Sequence, residues 1–175
     1  MRRVITLGLL IIINFILQST VFGFHNISSI TPNLMLILTM SFGLMRGRKE
    51  GLLVGFFCGF LADCMFSTVL GPYMFVYMII GYTNGFFHKN YIIEDVLLPL
   101  IVIIVDELVF NTIIYIIFFF LNNHLNFGDY LTDIILPETL STTLLTIIVY
   151  KFYVFVNKRL KRKAEGKDII WFAKF

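Results

Sequence analysis

Polar surface is what this sequence has least of. Asp, Glu, Lys and Arg together make up 14% of the 175 residues, while hydrophobic types make up 58%. A soluble domain of this length draws about a quarter of its residues from the charged types, so a water-soluble globule is excluded. Cysteine is nearly absent. Cys58 and Cys64 share one apolar segment, at a spacing that fits neither a zinc site nor a redox motif, and a disulfide inside one helix is geometrically strained. Both are read as apolar filler. His25, His88 and His124 fall in separate loops, without the spacing of metal ligands. No nucleophile elbow, phosphate-binding glycine loop or HExxH helix occurs. The chain is therefore not read as an enzyme, and neither cofactor nor metal is expected. A pair of membrane acids could suggest an intramembrane aspartyl protease, but Asp63 and Asp106 lack the flanking motifs such enzymes need. The basic residues form no aromatic-interleaved stripe, which argues against nucleic acid as a partner.

Positive charge is also missing from every second connection between apolar runs. Arg2 and Arg3 open the chain, Arg46, Arg48 and Lys49 form a central cluster, and Lys89 stands alone. Lys151, Lys158, Arg159, Lys161, Arg162, Lys163, Lys167 and Lys174 crowd the C-terminal region. Six membrane crossings put all fourteen cations on one face, the cytoplasmic face by the positive-inside rule. The expected fold class is thus all-α: a polytopic integral membrane protein of six transmembrane helices in the bacterial cytoplasmic membrane, both termini cytoplasmic.

The spans are placed at 4–22, 32–45, 51–66, 72–87, 96–121 and 137–155. The first is too long for a signal-peptide core and no small-residue cleavage site follows it, so it is read as retained. The hydrocarbon layer is about 30 Å thick and a helix rises about 1.5 Å per residue. Spans two, three and four are short on that measure and are read as tilted or set in thinned bilayer. A re-entrant second span would carry Arg46, Arg48 and Lys49 to the outer face, against the charge rule. Pro32, Pro72 and Pro137 each mark a helix start, and Asp95 or Val96 could cap span five. The loop at 122–136, with Asp129 and Asp133, has room for a small interfacial helix. Residues 1–157 form one six-span domain, and 158–175 a basic cytoplasmic tail with Trp171 and Phe172 at the interface. Lys158, Arg159, Lys161, Arg162 and Lys163, like Arg46, Arg48 and Lys49, are candidates for topology control and for anionic lipid headgroups.

Two constellations stand out. Gly51, Gly55, Gly59 and Asp63 recur every fourth residue in span three, so they share one helix face. Glycines there let another helix approach closely, whether from this chain or from a partner. Asp63 is read either as an interfacial carboxylate or cap for the turn at 67–71, or as an anchor for a partner or an internal polar contact. The second constellation is Asp106 and Glu107 near the middle of span five, where each charged carboxylate costs about 2.5–3.5 kcal/mol. No Lys or Arg lies near the middle of any span to pair with them. Glu107, Asn111 and Tyr115 form a polar stripe. Asn14 and Gln18 in span one, and Glu138, Thr142 and Thr146 in span six, are the candidates to face it. Asn14, Gln18, Asp106, Glu107 and Asn111 are taken as one buried polar set. It could be a structural network, a socket for a partner's transmembrane helix or polar group, or a small-molecule or ion pocket.

The ordered motifs resemble the rod shape-determining MreD family. They are T31-P32-N33-L34 opening span two, R46-G-R-K-E-G51 before span three, G51-LLVG-FFCG-FLAD63 running into L70-G71-P-Y, and G81-YTNG85. The Asp106–Glu107 pair maps onto none of them. The resemblance implies a non-enzymatic scaffold of the bacterial cell-elongation machinery, supporting rod shape and lateral peptidoglycan synthesis. The implied partners are a bitopic MreC-like protein, with MreB, RodA and a penicillin-binding protein working alongside. It also implies a fold like the S-components of energy-coupling factor transporters. That likeness supplies an alternative function, a transporter subunit binding a vitamin-like solute.

Overall fold

A computed structural model describes residues 2–22, 31–67, 69–89, 97–122 and 127–172. The regular elements among the described residues are all helices: α1 (Arg2–Leu17), α2 (Leu34–Arg46), α3 (Arg48–Phe66), α4 (Pro72–Asn84), α5 (Leu97–Asn122), the single-turn α6 (Phe127–Tyr130) and α7 (Leu136–Phe172), with short 3-10 and π-turns beside them. The helical capping position expected at Asp95 or Val96 lies outside the described residues. Two stretches, Leu97–Ile117 and Leu131–Leu160, are long and apolar enough to cross a membrane. Ile5–Thr20 and Leu34–Arg46 are apolar but shorter.

α2 occupies the centre. Every residue from Leu34 to Met45 is buried, including Thr39 and Ser41, and α1, α3, α4, α5 and α7 all touch it. With thirteen residues it is about 20 Å long. Its sides meet other helices rather than lipid. A buried helix start must find partners for its orphan N–H groups, and here three elements supply them. Asn33 caps its own helix through Oδ1, which accepts from Leu36 N at 3.1 Å. Gln18 of α1's terminal π-turn accepts from Met35 N at 3.1 Å. Thr142 of α7 accepts from Asn33 N at 3.0 Å. Pro32 precedes this cap rather than opening the helix, whereas Pro72 does sit at the first turn of α4.

α2 and α3 meet at one residue, Gly47, whose φ of 89° is a left-handed conformation glycine adopts without strain. The basic cluster is therefore two helix ends and not a loop. This corrects the expectation for Arg46: its side chain is mostly buried and pairs with Glu50 at 3.9 Å instead of reaching headgroups. Arg48 and Lys49 are exposed, and the Arg48 guanidinium lies 3.9 Å from the centre of the Phe86 ring.

α3 and α4 form the tightest pair in the bundle. A Cβ on Gly51 would collide with the Gly81 carbonyl, one on Gly55 with the Tyr77 carbonyl, and one on Gly59 with the Met74 backbone. The glycine face is thus filled by α4 of the same chain, and the partner alternative for Gly51, Gly55 and Gly59 is corrected on that ground. α7 runs without a break to Phe172, past the boundary placed at residue 157. Lys158 and Arg159 are exposed on it, with Arg159 4.8 Å from the centre of the Phe155 ring. Lys161, Arg162 and Lys163 continue its backbone, and their side chains lie outside the described residues. The small helix expected at 122–136 is present as α6 with the π-turn Leu131–Ile135.

Candidate functional site

The polar side chains expected as one set are divided among three places, and Asp63 of the glycine face occupies a fourth. Asn14 accepts from the Tyr153 hydroxyl of α7 and donates to Leu10 O within α1. Asp106 accepts from the Asn84 amide at the end of α4. Asp63, 1% exposed, binds the backbone of the following turn: its carboxylate accepts from Gly71 N at 3.0 Å, Tyr73 N at 3.0 Å and Met74 N at 2.9 Å. Gly71 carries no capping side chain, so Asp63 caps α4 from the preceding helix, where a carboxylate also complements the helix dipole.

Glu107 and Asn111 form the third group of the set, with neighbours on α7. The Thr142 hydroxyl faces Glu107 Oε1 at 3.5 Å, a long contact. Thr142 also accepts from Asn33 N, and Asn33 Oδ1 accepts from the Tyr77 hydroxyl at 2.7 Å. A continuous polar path therefore joins α4, α2, α7 and α5. Glu138, in the first turn of α7, lies against both Glu107 and Asn111. Asn111 is 3% exposed, and its Nδ2 closes no hydrogen bond, nor does Oε2 of Glu107. Buried polar atoms in that condition are uncommon and call for a physical reason.

Beside them is a cavity of about 240 Å³. Its polar lining includes Gln18, Asn33, Asn111 and Glu138, and its aromatic walls include Tyr73 and Tyr130. It lies at the N-terminal end of α2, the end opposite Arg48 and Lys49. Of the residues expected at a site, Gln18 and Asn111 line this cavity and Glu107 sits behind Glu138. Asn14, Asp63 and Asp106 lie elsewhere. Asn33, Tyr73 and Tyr130 were not singled out from sequence. The T-P-N-L motif carried a usable signal for Asn33, since Asn before an apolar run is a helix cap.

A separate apolar groove of about 570 Å³ lies between α1 and α3, lined by residues such as Leu7, Gly8, Ile12, Leu53, Phe57 and Phe60. Gly8 has open space where a Cβ would project. Among the described residues no cluster of His, Cys, Asp and Glu could hold a metal ion.

A family model described as rod shape-determining protein MreD matches residues 1–156. No curated protein and no solved structure matches the chain. The chain belongs to the MreD family of rod shape-determining membrane proteins.

Proposed function

We propose that this MreD-family chain is a non-enzymatic membrane scaffold of the cell-elongation machinery that seats the transmembrane helix of an MreC-like partner. Through that partner it supports lateral peptidoglycan synthesis, alongside MreB, RodA and a penicillin-binding protein. Six crossings with both termini in the cytoplasm are part of the proposal, supported by the one-sided Lys and Arg pattern. Lys158 and Arg159, exposed on α7, suit contact with anionic headgroups.

The observation that carries the reading is the α1–α3 groove. Its lining is apolar throughout, and in lipid such a face gains from a partner helix by close packing rather than by the hydrophobic effect. An open glycine at its floor permits close approach. The solute-binding alternative draws on the polar cavity, but sites for small molecules run to about 300–1,000 Å³, and 240 Å³ is below that range. The cavity suits a group of side-chain size better than a vitamin.

Gly8→Trp tests the scaffold reading, because a Cβ at Gly8 meets no atom within 4 Å and an indole there is bulky enough to obstruct the groove. The variant is expected to insert and melt like the parent, to lose co-purification of the MreC-like protein, and to round up rod-shaped cells that depend on it. A variant that is well inserted, keeps the partner and keeps rod shape contradicts the groove as the contact.

A further inference from the structure

The cavity at the N-terminal end of α2 has a particular chemical imbalance. Two of its polar groups are already committed: Gln18 Oε1 to Met35 N, and Asn33 Oδ1 to Leu36 N and Tyr77. Also on the lining are the Glu138 carboxyl, with Glu107 behind it, the Asn111 amide, and the hydroxyls of Thr31, Tyr73 and Tyr130. Oε2 of Glu107 and Nδ2 of Asn111 are buried and close no hydrogen bond. The Glu138 carboxyl is the one ionisable acid or base side chain among the lining residues besides the tyrosines, and no Lys or Arg is there to balance it.

The walls have the same preference. Tyr73, Tyr77, Phe110 and Tyr130 line the cavity, with Tyr73 and Phe110 ring centres 5.8 Å apart and Tyr77 and Phe110 5.1 Å apart. Aromatic faces and a carboxylate attract the same ligand class, a cation, and attract it more strongly away from water. Every cation of this chain is assigned to the opposite face, so the complementary group has to come from another molecule.

We propose that this cavity is a binding site for one cationic group, a primary ammonium or a guanidinium, entering from the extracytoplasmic side. Glu138 takes the charge, and Glu107 supports it from behind. The cation belongs either to a Lys or Arg side chain of a partner or to a free small amine. The assignment concerns the cavity alone and stands apart from the α1–α3 groove.

The test uses the full-length chain in nanodiscs and n-butylamine, which has the length and charge of a lysine side chain. Saturation-transfer NMR compares it with n-butanol and butyrate at equal ionic strength. Binding of the amine is expected to exceed that of both counterparts, and to fall roughly tenfold in Glu138→Gln with the melting temperature unchanged. Where Glu138→Gln reduces the yield of folded protein, Asn111→Asp, which adds a carboxyl, is expected to strengthen amine binding. Equal binding of amine and alcohol, or amine binding indifferent to both substitutions, overturns the proposal. A photo-crosslinker at Tyr130 in cells separates the sources. A Lys- or Arg-bearing peptide adduct identifies a partner's side chain, and a low-mass amine adduct identifies a free solute. Adducts carrying only neutral or anionic groups overturn the proposal.

Discussion

Asp63 shows how far a single residue could be read in advance. Its place four residues after Gly59 fixed its helix face, and its nearness to the turn suggested a capping role. Its three backbone donors depend on the path of residues 67–74, which sequence spacing does not specify. Asparagine at this position keeps one acceptor oxygen and presents an NH2 where the other oxygen receives hydrogen bonds from Gly71 N and Met74 N. Asp63→Asn is expected to destabilise the folded chain by about 1–3 kcal/mol through stranded buried donors, seen as a lower melting temperature of the purified protein in detergent. An unchanged melting temperature would mean that the cap is not holding α4. Arg46 was less legible. A basic residue at a span end reads as a headgroup contact, and only the one-residue turn at Gly47 reveals that Glu50 is within reach.

Among the helices, existence and order were readable from the apolar runs, because each run is closed by Gly, Pro or charge. The burial of α2 was not. A helix apolar on all sides suits a lipid environment and a protein interior equally, and only the packing of five neighbours distinguishes them. The glycine face of α3 was legible as a close-packing surface, but its occupant was not, since periodicity names no partner. α4 supplies the occupant, which changes the expected consequence of mutation. Gly55→Ala puts a Cβ into the Tyr77 carbonyl, and overpacking of that kind costs about 3 kcal/mol at its upper end. The purified chain alone is expected to melt lower and to aggregate on size-exclusion chromatography, with no partner present. A Gly55→Ala protein that melts normally and loses only its partner would put the glycine face back at an external interface.

For the whole molecule, sidedness connects these parts. The polar cavity opens near Thr31 and Tyr130 at one end of α2, and Arg48 and Lys49 stand at the other end. The charge pattern put Arg48 and Lys49 together between spans two and three, whereas the cavity itself was out of reach. It needs Gln18, Asn111 and Glu138 from three different helices, and helical spacing relates residues only within one helix. Asn14 and Asp106 were grouped with them on depth alone, and rotation about their helix axes sends each to a different neighbour. The central claim is that this bundle crosses the membrane with its cations on the cytoplasmic side and its cavity on the other. Cysteines placed one at a time at Lys49, Lys158 and Thr31, with Cys58 and Cys64 replaced by alanine, test it through a membrane-impermeant maleimide. Thr31→Cys is expected to react in spheroplasts, and Lys49→Cys and Lys158→Cys only in inverted vesicles. Reaction of Lys49→Cys from the outside would contradict the account.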